Sequence, residues 1–335
     1  MFTILIFFIF LSFRKVHKPN MKDIIAPVGK HLIVSELTPD KFIRRTNRMN
    51  NELYVITAHD SPNVMREIGR LRELSFRYAG GGTGEEIDID HYDVAENPYK
   101  QLIVWDREEE EILGGYRFHI CDESYVSENG EINLATANLF RFSPHFIKNY
   151  LPYTIELGRS FVQPAFQSTN RFGKGIYSLD NLWDGLGALV AKNPDKKYLM
   201  GKVTMYTSYN TEARNMILYF LDKHFGDKEN LICPREDLEL KIDFDNDVMS
   251  KLFVGKDYAE DYKILFQTVR SYGENIPPLI NSYMNLSPSM KTFGTAINHH
   301  FGSVEETGLM ITISDLYGDK VKRYVTSYYD TYWKQ

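Results

Sequence analysis

The chain has 335 residues, of which 43% are hydrophobic and 14% aromatic, and it carries a net charge of −6. Such a balance suits one large α/β domain or about two ordinary ones, and its sign excludes a nucleic-acid binder that works through a basic face. The two cysteines, Cys121 and Cys233, are too few and too far apart for a disulfide scaffold or a zinc site, and they fit a reducing, cytoplasmic setting.

Residues 1–13 form an apolar run that ends at Arg14 and Lys15. As a helix it would span about 20 Å, short of the roughly 30 Å hydrocarbon core of a bilayer. It lacks a basic start and a small-residue cleavage site, so it does not read as a secretory signal. One reading makes residues 1–20 an anchor on the inner membrane surface. The preferred one makes them an over-extended start, with the chain proper beginning at Met21. Residues 21–60 read as an amino-terminal arm, with a first strand over 53–57, and residues 61–335 as the main domain.

Ser61-Pro62 supplies a cap and a first-turn proline for a helix running to about residue 78. Val64, Ile68, Leu71, Leu74 and Tyr78 are its expected buried stripe. Its arginines, 66, 70, 72 and 77, are expected mostly in solvent. Gly80-Gly81-Gly82-Thr83-Gly84 stops the helix and reads as a hinge; it lacks the Lys-Ser/Thr end of a phosphate-binding loop. Six acids follow within twelve residues, from Glu85 to Glu96, suiting solvent or a cationic amine.

A hairpin over 101–106 and 112–120 comes next. Strand alternation puts Tyr116, Phe118 and Ile120 on one face and Arg117 and His119 on the other. The strand over 153–163 ends at Pro164 and holds Glu156-Leu157-Gly158-Arg159 among apolar residues. Buried charge of this kind costs several kcal/mol unless it is paired or at work, so the segment is either a structural ion pair or a reactive carboxylate with an arginine beside it. Residues three apart on a flat strand face opposite sides; a bulge at Gly158 is expected to bring the two together. Arg171-Phe172-Gly173-Lys174-Gly175 then opens a helix with Leu179, Leu182, Trp183, Leu186, Leu189 and Val190 as its stripe, a natural anion cradle. A strand over 198–206 precedes a helix capped by Asn210 or Thr211 and ended by Gly226. Helices from 257 and near 279–286, a strand over 309–314 and an aromatic tail packed on the core complete the reading. His299-His300 has no metal spacing and reads as surface.

This order of elements resembles the GCN5-related N-acetyltransferase (GNAT) fold, a mixed sheet flanked by helices. Within it, over about residues 60–315, the chain is similar to the hemolysin-type N-acyltransferases that make the lyso form of ornithine and glycine lipids, relatives of the acyl-homoserine-lactone synthases. The late run Pro277-Pro278-Leu279 through Tyr283 is similar to that family's Pro-Pro-Leu…Tyr element. The resemblance implies roles. Arg72, Phe76, Asp90, Asp93 and Arg117 would bind substrate. Glu156 and Arg159 would be catalytic. Arg171, Gly173, Lys174 and Gly175 would hold the donor phosphate. Gly158 stands where the lactone synthases often carry serine, which favours simple amide formation.

The chemistry so implied joins a (3-hydroxy) fatty acyl chain to the α-amine of free glycine or ornithine. The donor would be the acyl-phosphopantetheine of acyl carrier protein, with no permanently bound cofactor and no metal. The ammonium must lose a proton before it attacks, and Glu156 is the candidate acceptor. An acidic carrier would meet basic groups, for which Lys174, Lys192, Lys196, Lys197 and Lys202 are candidates. The alternatives are a coenzyme-A-dependent acetyltransferase of a small amine and a non-catalytic membrane-associated binder.

Overall fold

A computed structural model describes residues 21–122, 126, 132–167, 174–242 and 245–332, with the backbone alone at 174–176. Its centre is an eight-stranded mixed sheet. The strands are β1 (Phe42–Arg45), β2 (Glu52–Ile56), β3 (Lys100–Asp106), β4 (Glu111–Ile120), β6 (Thr154–Val162), β7 (Tyr198–Met205), β9 (Lys291–Asn298) and β10 (Val304–Thr312). They lie in the order β1-β2-β3-β4-β6-β7-β10-β9. A separate pair, β5 (Phe140–Phe142) and β8 (Ile232–Pro234), stands apart.

Neighbours in the large sheet run antiparallel, except β6 and β7, which are parallel. That parallel seam is short. It pairs Thr154 with Tyr198, Ile155 with Leu199 and Glu156 with Met200, and then the strands part. Beyond Glu156 the sheet is therefore open along its middle.

The α-helices among the described residues are α1 (Lys30–Glu36), α2 (Pro62–Ala79), α3 (His91–Val94), α4 (Pro144–Asn149), α5 (Lys174–Lys192), α6 (Thr211–Phe225), α7 (Asn246–Leu252), α8 (Tyr258–Ser271), α9 (Pro278–Met284), α10 (Gly318–Lys320) and α11 (Ser327–Tyr332). One face of the sheet carries α1 and α2, with Val64, Ile68 and Leu71 packed on Ile103, Trp105 and Phe161. The other carries α5, α6, α8 and α9 on Leu102, Val104, Tyr116 and Phe118. The alternation of β3 and β4 thus sorts the two cores, as period-two side chains must.

Local signals act as expected at several ends. Pro62 opens α2, and Gly80 closes it at φ 101°. Asn210 caps α6 by accepting from the amides of Glu212 and Ala213. The aromatic tail packs home: Tyr324 and Tyr328 are buried. It lies so close to α5 that a Cβ on Gly187 would fall 2.3 Å from the Tyr324 carbonyl oxygen.

Other expectations need correction. Tyr78 is exposed, because the last turn of α2 turns Ser75 and Phe76 inward instead. Arg72, expected in solvent, is fully buried. β10 starts at Val304, five residues early, because Glu306 is buried beside Lys202 rather than in solvent. Strands β1 and β9 had no clear apolar alternation to announce them. Among the described residues, no helix is long and apolar enough to cross a membrane.

Candidate active site

The opening between β6 and β7 is shaped by one extra residue. Along β4 the partners step from Gly115 to Arg117, while along β6 they step from Phe161 to Gly158. The surplus makes a bulge, and Arg159 takes it up in the left-handed region at φ 50°. The expected kink is there, one residue past the glycine. It turns Arg159 toward the cavity that Glu156 also lines. Gly158 contributes room instead: a Cβ there would sit 3.6 Å from Arg117 Nε, in front of the same cavity.

Glu156 is only 1% exposed, yet it forms part of that cavity's wall. Its carboxylate is held from two sides. The amide of Thr136 donates to Oε1 at 2.8 Å, and the Tyr99 hydroxyl donates to Oε2. The Tyr99 oxygen in turn accepts from the amide of Ala135 at 3.1 Å. His119, opposite Glu156 in the β4–β6 register, stacks on the Tyr99 ring at 4.6 Å. Burial pulls the imidazole down from its ordinary pKa, against the upward pull of Glu156. Burial and then Glu156 push the Tyr99 phenol far up.

Beside this lies a lattice of opposite charges. Arg72 and Asp93, both fully buried, pair at 3.1 Å, and Arg72 also donates to Gln101. Arg117 reaches Asp90 at 2.7 Å and Asp93 at 3.2 Å. Arg159 pairs with Asp88 at 2.8 Å and lies 4.3 Å from the Phe301 ring centre. Burial alone would raise the Asp93 carboxyl, but Arg72 and Arg117 outweigh it and hold it well below the usual range. Asp90 caps α3 in a reciprocal box with Asp93, which fixes both acids. The glycine run is likewise tied down. Thr83 and Gly84 donate their amides to the buried Glu73 carboxylate at 3.0 and 2.7 Å. Its N–H groups thus cradle an anion that the chain itself supplies.

Three spaces meet at the opening. The cleft in front of Glu156 has about 910 Å³ not filled by atoms, counting its mouth. It shares Arg117, Arg159, Lys202 and Phe301 with an outer vestibule of about 1340 Å³ that Asp90 and Arg235 also line. Through Leu157, Gly158, Ser160 and Leu279 it continues into a chamber of about 500 Å³ beneath α5. That chamber is walled chiefly by Leu179, Leu182, Trp183 and Leu186.

Of the residues expected at a site, Glu156, Arg159, Arg117 and Phe76 line the cleft, and Asp90 lines the vestibule. Arg72 and Asp93 lie behind them as fully buried support. Lys174 and Gly175 open α5, while Arg171 and Gly173 fall outside the described residues. Lys202, expected on a surface patch, stands inside the opening, 3.4 Å from Glu306. Lys196 is also no surface cation, since its ammonium donates to the carbonyls of Cys121 and Pro152.

Sequence reading missed Asp88 and Tyr99 as site residues, and it gave Lys202 to a basic patch instead of to the cleft. Lys202 carried the same signal as Glu156, a charge in the middle of an apolar strand. Asp88 was one acid among six, and Tyr99 one of 22 tyrosines, with nothing local to mark it.

Comparison with known proteins adds to this geometry. The family described as an acetyltransferase (GNAT) domain matches residues 71–173. A glycine N(alpha)-acyltransferase of Phocaeicola vulgatus is 57% identical over 308 residues, covering 92% of this chain and 94% of that protein. One of Bacteroides thetaiotaomicron is 54% identical over 312 residues, covering 93% and 92%. No solved structure matches the chain significantly.

Proposed function

We propose a function from one premise: this chain belongs to the family of the glycine N(alpha)-acyltransferases, and it is an amino-acid N-acyltransferase of GNAT fold. In our reading the acceptor is glycine and the donor a long-chain acyl thioester on acyl carrier protein. The product is an N-acyl amino acid on the way to an aminolipid. The observation that carries this reading is the position of Glu156, at the point where β6 and β7 part and where a charged cleft meets an apolar chamber.

The division of labour follows from that place. The amino acid occupies the charged cleft. Its carboxylate faces Arg159 and Lys202, and its nitrogen faces Glu156. The acyl chain passes through the opening into the chamber beneath α5, which removes apolar surface from water at about 25 cal/mol per Å². The thioester carbonyl then lies at the bulge, where β6 has parted from β7 and a backbone N–H group can turn to the oxyanion. Glu156 takes up the proton that the ammonium loses. Asp90 and Asp93 hold Arg117, with Arg72 on the far side of Asp93, and Asp88 and Phe301 hold Arg159, so that these guanidinium groups cost little reorganisation during the reaction. Arg171, Gly173, Lys174 and Gly175 remain the proposed hold on the pantetheine phosphate.

Mass spectrometry of lipids from cells expressing the chain tests this directly. A new N-acylglycine is expected, and Glu156→Gln is expected to reduce its rate of formation by about 10²–10⁴-fold, the usual worth of a general base. An N-acylornithine in its place would move the acceptor to ornithine. Equal rates from acyl carrier protein and coenzyme A donors would remove the carrier from the reading.

A further inference from the structure

Glu156 does not face the cleft as a bare carboxylate. Each of its oxygens already accepts a hydrogen bond, one from the Thr136 amide and one from the Tyr99 hydroxyl. Tyr99 lines the same cleft, and its hydroxyl oxygen stands between two partners. It accepts from the Ala135 amide and donates to Glu156, which leaves it one lone pair.

We propose that Tyr99 is itself a catalytic residue, whose hydroxyl oxygen meets the amine and relays its proton to Glu156. The inference rests on the function proposed above. In the step, the ammonium N–H bond breaks as an O–H bond forms at Tyr99 Oη. The proton already on Tyr99 passes to Glu156 Oε2. The products are a neutral amine, an intact phenol and a neutral carboxylic acid, so no charge is left on the ring. The two transfers must be concerted: losing the phenol proton first would leave a tyrosinate in this buried place, and taking the ammonium proton first would leave a protonated phenol.

The groups around Tyr99 are consistent with such a relay. Arg117 lies 5.2 Å from the ring centre, Tyr92 packs at 5.4 Å and His119 at 4.6 Å, while Cys121 lies on the strand end beyond. Burial holds His119 toward its neutral form and Cys121 toward its thiol. Glu156, which already accepts the hydrogen bond of the Tyr99 hydroxyl, is then the group in line to take the proton.

Tyr99→Phe is the test, read against pH. The relay predicts a loss of about 10²-fold or more in kcat at neutral pH, with little change in the KM for glycine. It also predicts that much of the loss is recovered at alkaline pH, where free glycine is already a neutral amine. A loss of equal size at every pH would make Tyr99 a positioning residue for Glu156 and overturn the proposal. A rate within twofold of the wild type would do the same. A proton inventory on the unaltered enzyme gives a second reading that needs no variant: a bowed dependence on deuterium fraction fits two protons in flight, and a straight line overturns the relay. If Glu156→Gln is inactive while Tyr99→Phe is normal, the relay falls and the proposed function stands. If Glu156→Gln is fully active, the proton-acceptor role of Glu156 falls, and the relay with it.

Discussion

The two sides of the opening between β6 and β7 are built on opposite principles. On the side of α2 and α3, arginines and aspartates stand in buried or half-buried pairs. On the side of α5, the walls are leucine and tryptophan. Both meet at a few residues of one strand, because alternate positions of β4 and the bulge of β6 serve different faces. A charged acceptor and a greasy donor can therefore meet at one point without either entering the other's surroundings. The charged side is the more fragile of the two. Its charges hold only as a set, whereas the apolar side tolerates changes of shape as long as volume is kept.

The largest expected effect lies on the charged side. Asp93→Ala leaves Arg72 and Arg117 buried with one partner fewer, and it should cost about 3–5 kcal/mol in urea unfolding. The same carboxyl sets an acid limit. Its pKa in the folded protein lies below its unfolded value, so its contribution is fully present above the ordinary carboxylate pKa of about 3.9. That contribution is lost as pH falls toward the lowered folded value. Unfolding midpoints followed from pH 6 downward should decline less steeply in Asp93→Asn than in the parent.

A smaller effect is expected on the apolar side, and it should appear in selectivity more than in stability. Leu179 is half-buried and faces the chamber, so Leu179→Trp fills space without opening the core. Competition between a long and a short acyl donor should then shift by about 10–200-fold toward the short one. Glu156→Gln should slow both donors alike. If Leu179→Trp also slows both alike, the chamber is not where the chain lies, and the division between the two sides is broken.

How much of this could be read beforehand depended on what each residue had to signal. The charge of Glu156 inside an apolar strand was visible, and strand geometry required a kink beside it. The glycine drew attention to the right turn, but Arg159 bears the left-handed conformation, because Asp88 and Phe301 hold its side chain from a distance in sequence. Arg72 looked like any arginine on an amphipathic helix. Its burial depends on Asp93, 21 residues on, and Gln101, 29 residues on, and no local pattern contains them. Tyr99 was hidden for the same reason, since its partners Glu156 and Ala135 arrive from other strands and turns. The α5 side was more legible, because its stripe repeats within one helix.

The smallest effect isolates the turn that carries the acids to the charged side. Gly80 ends α2 at φ 101°, and a Cβ there would meet nothing within 4 Å. Gly80→Ala therefore tests backbone conformation alone, with no crowding, and should cost roughly 1 kcal/mol. Gly82, at φ 95°, differs in that a Cβ would also come 3.1 Å from Glu73 Oε1, the carboxylate that gathers the Thr83 and Gly84 amides. Gly82→Ala should accordingly cost more than Gly80→Ala and lower activity as well, because displacing Glu73 loosens the loop that leads to Asp88 and Asp90. Equal costs at the two glycines, with activity intact, would show that the acids are held by their arginines alone and owe nothing to the turn before them.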